Sequence, residues 1–339
     1  MPVSPVRLRT FVDDLARTGR FDEAALEVFA YQRVANPTYR RYLELLDYDA
    51  ERPSHWSAIP GLPIDLFRTH DVRSGRWTPA TTFTSSGTTG AATSRHPVRS
   101  QRGYVRGCIR TFESLTGRAL DGFRLLALLP SYLEREGSGL VAMIDAFLRV
   151  ALPGSGFYLH DHGALRASVR EAAAAGEPVL LWGVTYALLD LVERADLSLP
   201  PGSLVVETGG MKGTRRELTR EELHERLTAK LTLTDGASAP LLSEYGMTEM
   251  QSQAYLLPAS GRFHPAPSLR VAAREITDPL GLCPFGKTAA LNVADLANLD
   301  TVAFVQTDDL GRVYADGSFD VLGRQDGAQA RGCNLLVAE

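Results

Sequence analysis

The middle of the chain alternates short apolar runs with helical segments, and this alternation restricts the possible folds more than any other feature. Apolar runs typical of strands occur at Arg124–Leu129, Val179–Val184 and Ser203–Glu207. Helical spacing of apolar residues is found between and after them, at Ala164–Ala175 and Tyr186–Arg194. Strands that alternate with helices favour parallel pairing, with the helices covering the sheet. The sequence therefore predicts a layered α/β fold with a largely parallel sheet.

The two ends of the chain differ from this middle. Apolar residues at helical spacing predict helices over most of residues 1–50, with Pro37 as an interruption. Short strand patterns predict a β-rich lobe over residues 267–324. Because no linker-like stretch divides the chain, we expect one large domain over residues 1–324, followed by a C-terminal stub at 325–339.

Composition restricts the functional class. The 339 residues are 44% hydrophobic, which is typical of a globular protein, and the net charge of −4 argues against general nucleic-acid binding. The three cysteines have spacings that suit neither a disulfide framework nor a zinc site. No apolar run approaches the length of a membrane span. We therefore expect a cytoplasmic protein that binds a small molecule or a protein partner.

A run of hydroxyl and glycine residues follows the strand-like segment Thr81–Phe83 and is typical of a phosphate-binding loop. Glycine lets the backbone approach an anion closely, while consecutive N–H groups and hydroxyls replace the water that phosphate loses on binding. An ordinary surface turn has the same composition and is the alternative. The residues expected to contact phosphate are Ser85, Ser86, Gly87, Thr88, Thr89 and Gly90.

A second segment, Ser243–Glu249, contains an aromatic residue, a glycine, a hydroxyl and an acid directly after an apolar run. Tyr245 has a ring that can stack on a flat base, and Thr248 has a hydroxyl that can donate to phosphate. Glu249 carries the carboxylate expected to hold Mg²⁺. The first turn of an ordinary helix is the alternative, because Thr and Glu both suit that position. The nucleotide-binding residues expected here are Glu244, Tyr245, Gly246, Met247 and Thr248.

A third segment places acids near the end of a strand, with an arginine farther along the chain. Asp308 and Asp309 follow Thr307, and Arg324 follows Gly323. Carboxylates in such a position can accept hydrogen bonds from vicinal sugar hydroxyls, and the arginine can reinforce that contact. Two β-turns are the alternative interpretation. We expect Asp309 and Arg324 to bind a nucleotide.

Taken together and in this order, the three segments resemble those of the adenylate-forming superfamily, which includes acyl-CoA synthetases, firefly luciferase and peptide-synthetase adenylation domains. The resemblance implies ATP and Mg²⁺ as cofactors, with adenine, phosphate and Mg²⁺ at Tyr245–Glu249 and ribose at Asp309 and Arg324. The family's adenine-side glycines are matched by Gly209–Gly210. Asp308 stands where the family usually has glycine.

A closer resemblance extends over nearly the whole chain. It looks like the acyl-protein synthetase (LuxE-type) branch, the acid-activating component of bacterial fatty-acid reductase complexes. This resemblance implies a carboxylic acid substrate, expected to be a fatty acid, whose acyl group passes from AMP to a cysteine near the C-terminus and then to a reductase subunit. Cys333 matches that cysteine, although a small buried packing residue is the alternative. The segments that carry the likeness are Ile59–Ile64, Phe83–Gly90, Ser94–His96, Leu129–Arg135, Glu207–Gly213, Ser243–Tyr255 and Arg331–Leu335.

The superfamily normally has a mobile C-terminal domain with a catalytic lysine, which begins shortly after the position of Arg324. The sequence has only 15 residues after Arg324, so we expect this domain and its lysine to be missing. Attack of a carboxylate on the α-phosphate accumulates negative charge, so another cation is needed. Lys212 is the first candidate, with a solvated loop lysine as its alternative. Arg95 is the second, because a guanidinium can clamp phosphate.

The leading hypothesis is therefore ATP-dependent activation of a carboxylic acid to acyl-AMP, followed by acyl transfer to a thiol. Direct transfer to an amine, a hydroxyl or a carrier-protein thiol, without an enzyme-bound thioester, is the alternative within the same class. A non-catalytic nucleotide-binding subunit of a reductase complex is the alternative from another class.

Overall fold

The computed structural model describes residues 4–48, 53–85, 93–130, 137–209 and 218–325. These residues form two compact units. The described residues of unit 1 lie within Met1–Gly107, Gly246–Ala254 and His264–Gln329, and those of unit 2 lie within Cys108–Tyr245 and Tyr255–Phe263. The single domain over residues 1–324 stays a prediction.

Helices occur in the N-terminal part of the chain and between the strands of unit 2. Their bounds are α1 Pro5–Asp13, α2 Leu15–Thr18, α3 Phe21–Ala35, α4 Pro37–Leu45, α5 Leu66–Thr69, α6 Gln101–Thr116, α7 Gly139–Leu148, α8 His162–Ala175, α9 Thr185–Arg194 and α10 Arg220–Thr228. Short 3₁₀ turns lie at Trp56–Ala58, Leu120–Gly122 and Leu296–Asn298.

The strands are short in the first two thirds of the chain and longer near its end. Their bounds are β1 Leu62–Pro63, β2 Thr81–Thr84, β3 Arg95–Val98, β4 Arg124–Leu128, β5 Gly156–Phe157, β6 Val179–Val184, β7 Leu197–Leu199, β8 Leu204–Thr208, β9 Leu231–Leu233, β10 Leu241–Tyr245, β11 Ala254–Leu257, β12 Arg262–Pro265, β13 Leu269–Arg274, β14 Ala289–Asp295, β15 Phe304–Val313 and β16 Phe319–Arg324.

Unit 2 contains the parallel sheet that the alternating pattern predicts. Its strands follow the order β11-β10-β8-β6-β4-β5, and the pairs from β10 to β5 are parallel. Every residue of β4, β6 and β8 is buried, as expected for parallel strands that are covered on both faces. The α/β fold class with a large parallel-rich sheet is confirmed.

Unit 1 contains the β-rich lobe, in which β13, β14, β15 and β16 are neighbours and pair antiparallel. The short strand β1 adds to β15 in parallel. Gly61 precedes β1, and a Cβ at this position would lie 2.6 Å from the backbone nitrogen of Gln306. A side chain at residue 61 would therefore separate β1 from β15.

The N-terminal helices hold the connection between β14 and β15. Gln32 on α3 donates through Nε2 to the carbonyl oxygens of Asn298 and Leu299, at 2.9 and 3.1 Å, and accepts from the backbone N–H of Ala303 at 2.9 Å. Asn36 caps α4 and also donates to the carbonyl oxygen of Thr301 at 3.1 Å. These two buried amides therefore fix the connection from both of its sides.

The interruption expected at Pro37 is present. Helix α3 ends at Ala35 and Pro37 is the first residue of α4, because the first helical turn needs no N–H donor from that position. The phosphate-loop run is followed by the short strand β3, which lies between it and α6. The run therefore belongs to a connection between two antiparallel strands, β2 and β3.

Candidate functional site

The β2–β3 hairpin places Ser85 at the entrance to the predicted phosphate loop. Thr84 pairs with Arg95, and beyond this pair the backbone N–H of Ser85 donates to the carbonyl oxygen of Ser94 at 3.1 Å. The hydroxyl of Ser85 accepts from the backbone N–H of Ser94 at 2.9 Å. Ser85 thus closes the hairpin, while Ser86, Gly87, Thr88, Thr89 and Gly90 lie outside the described residues.

Arg95, a predicted catalytic cation, is the first residue of β3 and has an exposed side chain. Its place beside Ser94 puts it at the loop end of the hairpin, next to the loop that it is predicted to assist. Lys212, the other predicted cation, lies outside the described residues, as do Gly210 and Cys333. The roles of all four stay predictions.

The segment that contains Thr248 and Glu249 is held by side chains from distant parts of unit 1. Nδ1 of His96 lies 2.6 Å from the carbonyl oxygen of Thr248, and Nδ2 of Asn298 donates to the carbonyl oxygen of Glu249 at 2.8 Å. Two consecutive peptide carbonyls are therefore fixed by donors that lie far away in the sequence.

The residues after Glu249 are fixed by a carboxylate. Asp295, at the end of β14, accepts from the backbone N–H groups of Gln251 and Ser252 at 2.7 and 2.9 Å, and from the hydroxyl of Ser252 at 2.6 Å. Burial raises the pKa of Asp295, and its hydrogen bonds with Ser252 and Gln251 lower it. The segment from Thr248 to Ser252 consequently has its backbone defined on both sides of Glu249.

The side chain of Glu249, the predicted Mg²⁺ ligand, is fully buried, with 0% of its surface exposed. A carboxylate has the right chemistry for Mg²⁺, which prefers oxygen ligands and keeps several waters when it is bound with a nucleotide. Its burial does not fit that role in this conformation. No group of three or more His, Cys, Asp and Glu side chains within the described ranges is placed to hold a metal. The metal role of Glu249 stays a prediction.

Asp309 and Arg324, the predicted ribose-binding residues, are direct partners on the antiparallel strands β15 and β16. Nε of Arg324 lies 3.5 Å from Oδ1 of Asp309, and Nη2 donates to Oδ2 of Asp308 at 2.6 Å. Asp309 is 2% exposed. The structure therefore brings this predicted pair together, and the acid that replaces the family's glycine contacts the same arginine.

Unit 2 holds the remaining described residues of the predicted site, at the carboxyl ends of its parallel strands. Thr208 ends β8 and donates its hydroxyl to Oε2 of Glu244 on β10, and Gly209 follows Thr208 directly. Tyr245 is 2% exposed, and its ring lies 5.8 Å from the ring of Phe263. Stacking of Tyr245 on adenine stays a prediction. Ligands of open α/β sheets commonly bind at this edge.

Glu244 is a partly buried carboxyl near a second carboxyl, Glu207. Burial raises the pKa of Glu244 to about 7, the hydrogen bond from Thr208 lowers it, and the nearby Glu207 raises it. Burial likewise raises the pKa of Glu207, against hydrogen bonds from Thr185 and Ser243. The carboxyl of Glu244 therefore changes its charge near neutral pH.

Sequence reasoning missed several residues that build this site. Asp295 ends β14, and Asn298 and Thr301 lie in the connection that follows, where nothing in the local sequence indicates contact with residues 248–252. The sequence analysis also gave no role to His224, whose Nε2 lies 2.9 Å from Oγ of the buried Ser243. The spacing of Leu223 and Leu227, both buried on α10, could have indicated that part of this charged helix faces inward.

Solved structures show which known proteins share this fold. An open conformation of 2-hydroxyisobutyryl-CoA ligase in complex with 2-HIB-AMP and CoA matches with a TM-score of 0.62 and 15% identity, over 93% of this chain and 77% of that one. The o-succinylbenzoate-CoA synthetase of Bacillus subtilis in complex with the acyl-adenylate OSB-AMP matches with a TM-score of 0.52 and 20% identity, over 73% of this chain.

The chain spans 63% of the length of that synthetase. No family model matches the sequence, and no curated protein matches it either. No helix in the described part of the chain is long and apolar enough to cross a membrane. The chain therefore has the fold of the adenylate-forming ligases.

Proposed function

We propose that this protein is an adenylate-forming enzyme that uses ATP, as its magnesium complex, to convert a carboxylic acid into acyl-AMP and pyrophosphate. The observation that carries the proposal is the hydrogen bond between His96 and Thr248, two residues 152 positions apart. This bond joins the hairpin that flanks the predicted phosphate loop to the predicted phosphate-binding threonine. The paired Asp309 and Arg324 in the same unit support a nucleotide as the ligand.

In the proposed reaction an oxygen of the substrate carboxylate attacks the α-phosphorus of ATP. The bond between that phosphorus and the bridging oxygen of pyrophosphate breaks, and pyrophosphate leaves with the electron pair. Negative charge grows on the phosphate oxygens, so positioned cations and N–H donors lower the barrier. We assign the cationic role to Lys212 and Arg95, since Arg95 is exposed at the loop end of the hairpin.

Isotope exchange between labelled pyrophosphate and ATP tests the proposed activation step. We expect exchange that depends on the added acid, because the first half-reaction is reversible as long as pyrophosphate is present. A panel of short aliphatic, long-chain and aryl acids identifies the substrate class. ATP binding without exchange for any acid in the panel would instead favour the non-catalytic nucleotide-binding subunit.

For the second half-reaction, we propose transfer of the acyl group to the Cys333 thiol and then to a reductase subunit or carrier protein. A thiolate is a strong nucleophile whose thioester remains reactive enough to pass the acyl group onward. The resemblance to acyl-protein synthetases of the LuxE type supports this route, with a fatty acid as the substrate and the cytoplasm as the location. Direct transfer from acyl-AMP to an amine, a hydroxyl or a carrier thiol is the alternative.

Intact-mass measurement distinguishes these two routes. After incubation with ATP and the acid that gives exchange, we expect the chain to gain the mass of one molecule of that acid minus one water. Cys333→Ala should abolish this gain and leave pyrophosphate exchange intact, whereas the matched control Cys283→Ala should retain both. A Cys333→Ala protein with full overall acyl transfer would rule out the thioester route.

A further inference from the structure

We propose that His96 is a positioning residue that holds the phosphate-loop hairpin and the Thr248–Glu249 segment in one fixed geometry, through an Nδ1–H donor on a neutral imidazole. The inference rests on the proposed function, because Thr248 and the hairpin are its predicted phosphate contacts. It assigns His96 a role that acts through Thr248, without contact to the nucleotide.

The position of His96 makes it the link between two elements. It lies on β3, two residues after Ser94, whose backbone closes the hairpin with Ser85. Its side chain is completely buried, with Nδ1 at 2.6 Å from the carbonyl oxygen of Thr248 and Nε2 at 3.2 Å from Oγ1 of Thr301. The ring of Phe67 packs edge-on against the imidazole, with 5.7 Å between the centroids.

The partners of His96 determine which nitrogen carries the proton. A peptide carbonyl can only accept a hydrogen bond, so Nδ1 must carry the hydrogen that faces Thr248. In a neutral imidazole Nε2 is then an acceptor, and the hydroxyl of Thr301 donates to it. Burial lowers the pKa of His96 to about 4, although the bond to Thr248 opposes this, so the ring is neutral at ordinary pH. Every hydrogen-bonding atom of the ring thus has a complementary partner.

Thr301 is itself held in place, which keeps the imidazole from rotating. Its carbonyl oxygen accepts from Nδ2 of Asn36 and from the hydroxyl of Ser74. A rigid residue therefore orients Nε2, and the opposite nitrogen fixes the carbonyl of Thr248. The next carbonyl along the chain, that of Glu249, has its own donor in Asn298. Loss of the His96 bond alone should leave the segment folded but displaced relative to the hairpin.

Displacement of a group that contacts the reacting phosphate by about 1 Å can cost about 100-fold in rate. We therefore expect the loss of the Nδ1–H donor to lower kcat of pyrophosphate exchange about 10- to 100-fold. The KM for the acid should stay within about threefold, because His96 holds a phosphate contact and not an acid contact. A merely structural role would instead change the amount of folded enzyme and leave both constants of that enzyme unchanged.

Two substitutions separate the two nitrogens. In His96→Asn the amide nitrogen occupies nearly the place of Nδ1, so the bond to Thr248 can form, whereas in His96→Gln it reaches the place of Nε2, so only the contact with Thr301 can form. Both remove part of the ring and should lower the melting temperature by similar amounts. We expect His96→Asn to retain kcat within about threefold and His96→Gln to lose about 10- to 100-fold. Equal kcat values in the two variants would overturn the proposal.

A spectroscopic measurement tests the tautomer independently of catalysis. In protein with ¹⁵N-labelled histidine, long-range ¹H–¹⁵N correlation should show a ring with its proton on Nδ1 that does not titrate between pH 5.5 and 8, and His96→Asn should remove this signal. A signal from His96 with the proton on Nε2 would refute the inference. If wild-type protein shows no pyrophosphate exchange with any acid in the panel, the proposed function fails. The tautomer measurement then still decides whether His96 donates to Thr248.

Discussion

Unit 1 and unit 2 each bury an ionisable side chain next to residues that are predicted to bind nucleotide, but the surroundings of the two side chains differ. In unit 1, His96 lies between a carbonyl acceptor and a hydroxyl, and burial keeps it neutral. In unit 2, Glu244 lies near Glu207 and has Thr208 as a hydrogen-bond donor. The pKa of one group falls well below neutrality, while that of the other rises to it.

The two units therefore differ in whether their buried groups change charge near neutral pH. The hydrogen bonds around Thr248 keep the same donors and acceptors across the pH range in which proteins normally work. The carboxyl of Glu244 changes its charge within that range, so the edge of the parallel sheet in unit 2 has a pH-dependent potential. We infer that unit 1 provides geometry and that unit 2 provides the pH response.

The largest expected effect concerns the frame of unit 1, by which we mean the hydrogen bonds of His96, Asn298 and Asp295 to residues 248–252. Asp295→Ala removes the acceptor of three backbone N–H groups, those of Gln251, Ser252 and Ala297, which lose this buried partner. It also removes one of the two partners of the Ser252 hydroxyl, the other being Ser268. We expect the free energy of unfolding to fall by about 3 kcal/mol, measured by urea denaturation. Asp295→Asn, which keeps one acceptor oxygen, should lose clearly less. A loss below about 1 kcal/mol for Asp295→Ala would show that this frame is not rigidly held.

A smaller effect, on rate and not on stability, is expected for the threonine within that frame. Thr248→Ala removes the hydroxyl but keeps the carbonyl that His96 holds. If the hydroxyl donates to phosphate in the transition state, kcat of pyrophosphate exchange should fall about 100-fold. Thr248→Ser is the matched control and should stay within about fivefold of wild type. Unchanged exchange in Thr248→Ala would remove this hydroxyl from the catalytic site.

The pH dependence of stability tests the two units against each other. The folded pKa of His96 is lowered, so its contribution is fully present above about pH 6.5 and is lost as the pH falls toward 4. The folded pKa of Glu244 is raised to about 7, so its contribution is present at low pH and is lost as the pH rises from about 4.5 to 7. The two contributions have opposite signs.

Removal of one group should therefore leave the pH dependence that the other group contributes. Glu244→Gln should remove the loss of stability that Glu244 contributes between pH 5 and 7, so the change in the free energy of unfolding from pH 5 to pH 7 should be more positive than in wild type by about 1 to 2 kcal/mol after solvent screening. In His96→Asn the fall toward low pH should be weaker instead. Urea denaturation at several pH values measures both. Parallel pH profiles for the two variants would contradict the distinction between the units.

The smallest effect is expected for the histidine of unit 2. His224 contacts Ser243, but Ser243 also donates to Glu207, so removal of the ring leaves the serine with a partner. His224→Ala should cost about 1 kcal/mol of unfolding free energy, and His224→Gln, whose amide reaches the place of Nε2, should cost less. A loss of several kcal/mol would mean that His224 contributes as much to the stability of unit 2 as Asp295 is expected to contribute to that of unit 1.

The sequence was sufficient to predict the architecture, because the fold depends on repeated local patterns. Buried strands such as β4 and β6 are apolar at every position or nearly so, and the helices between them have clear periodicity. The short strand β3 was missed because it has four residues and contains Pro97. Its pairing is determined by β2 across the hairpin, which no periodicity within β3 could reveal.

The site could be predicted only in part. Asp309 and Arg324 were singled out because both belong to recognisable segments, and the structure pairs them on neighbouring strands, while their nucleotide role stays a prediction. The frame of His96, Asn298 and Asp295 could not be predicted, because its contacts join segments far apart in the chain and depend on tertiary packing. The raised pKa of Glu244 likewise follows from burial, which a single sequence does not specify.

The central claim is that a substrate carboxylate attacks the α-phosphorus of ATP. The most direct measurement uses an acid labelled with ¹⁸O at both carboxyl oxygens and determines the mass of the AMP released after acyl transfer. We predict that each AMP carries one ¹⁸O, because the attacking oxygen stays on phosphorus when the acyl group leaves. Unlabelled AMP, or ADP together with labelled inorganic phosphate, would contradict the account.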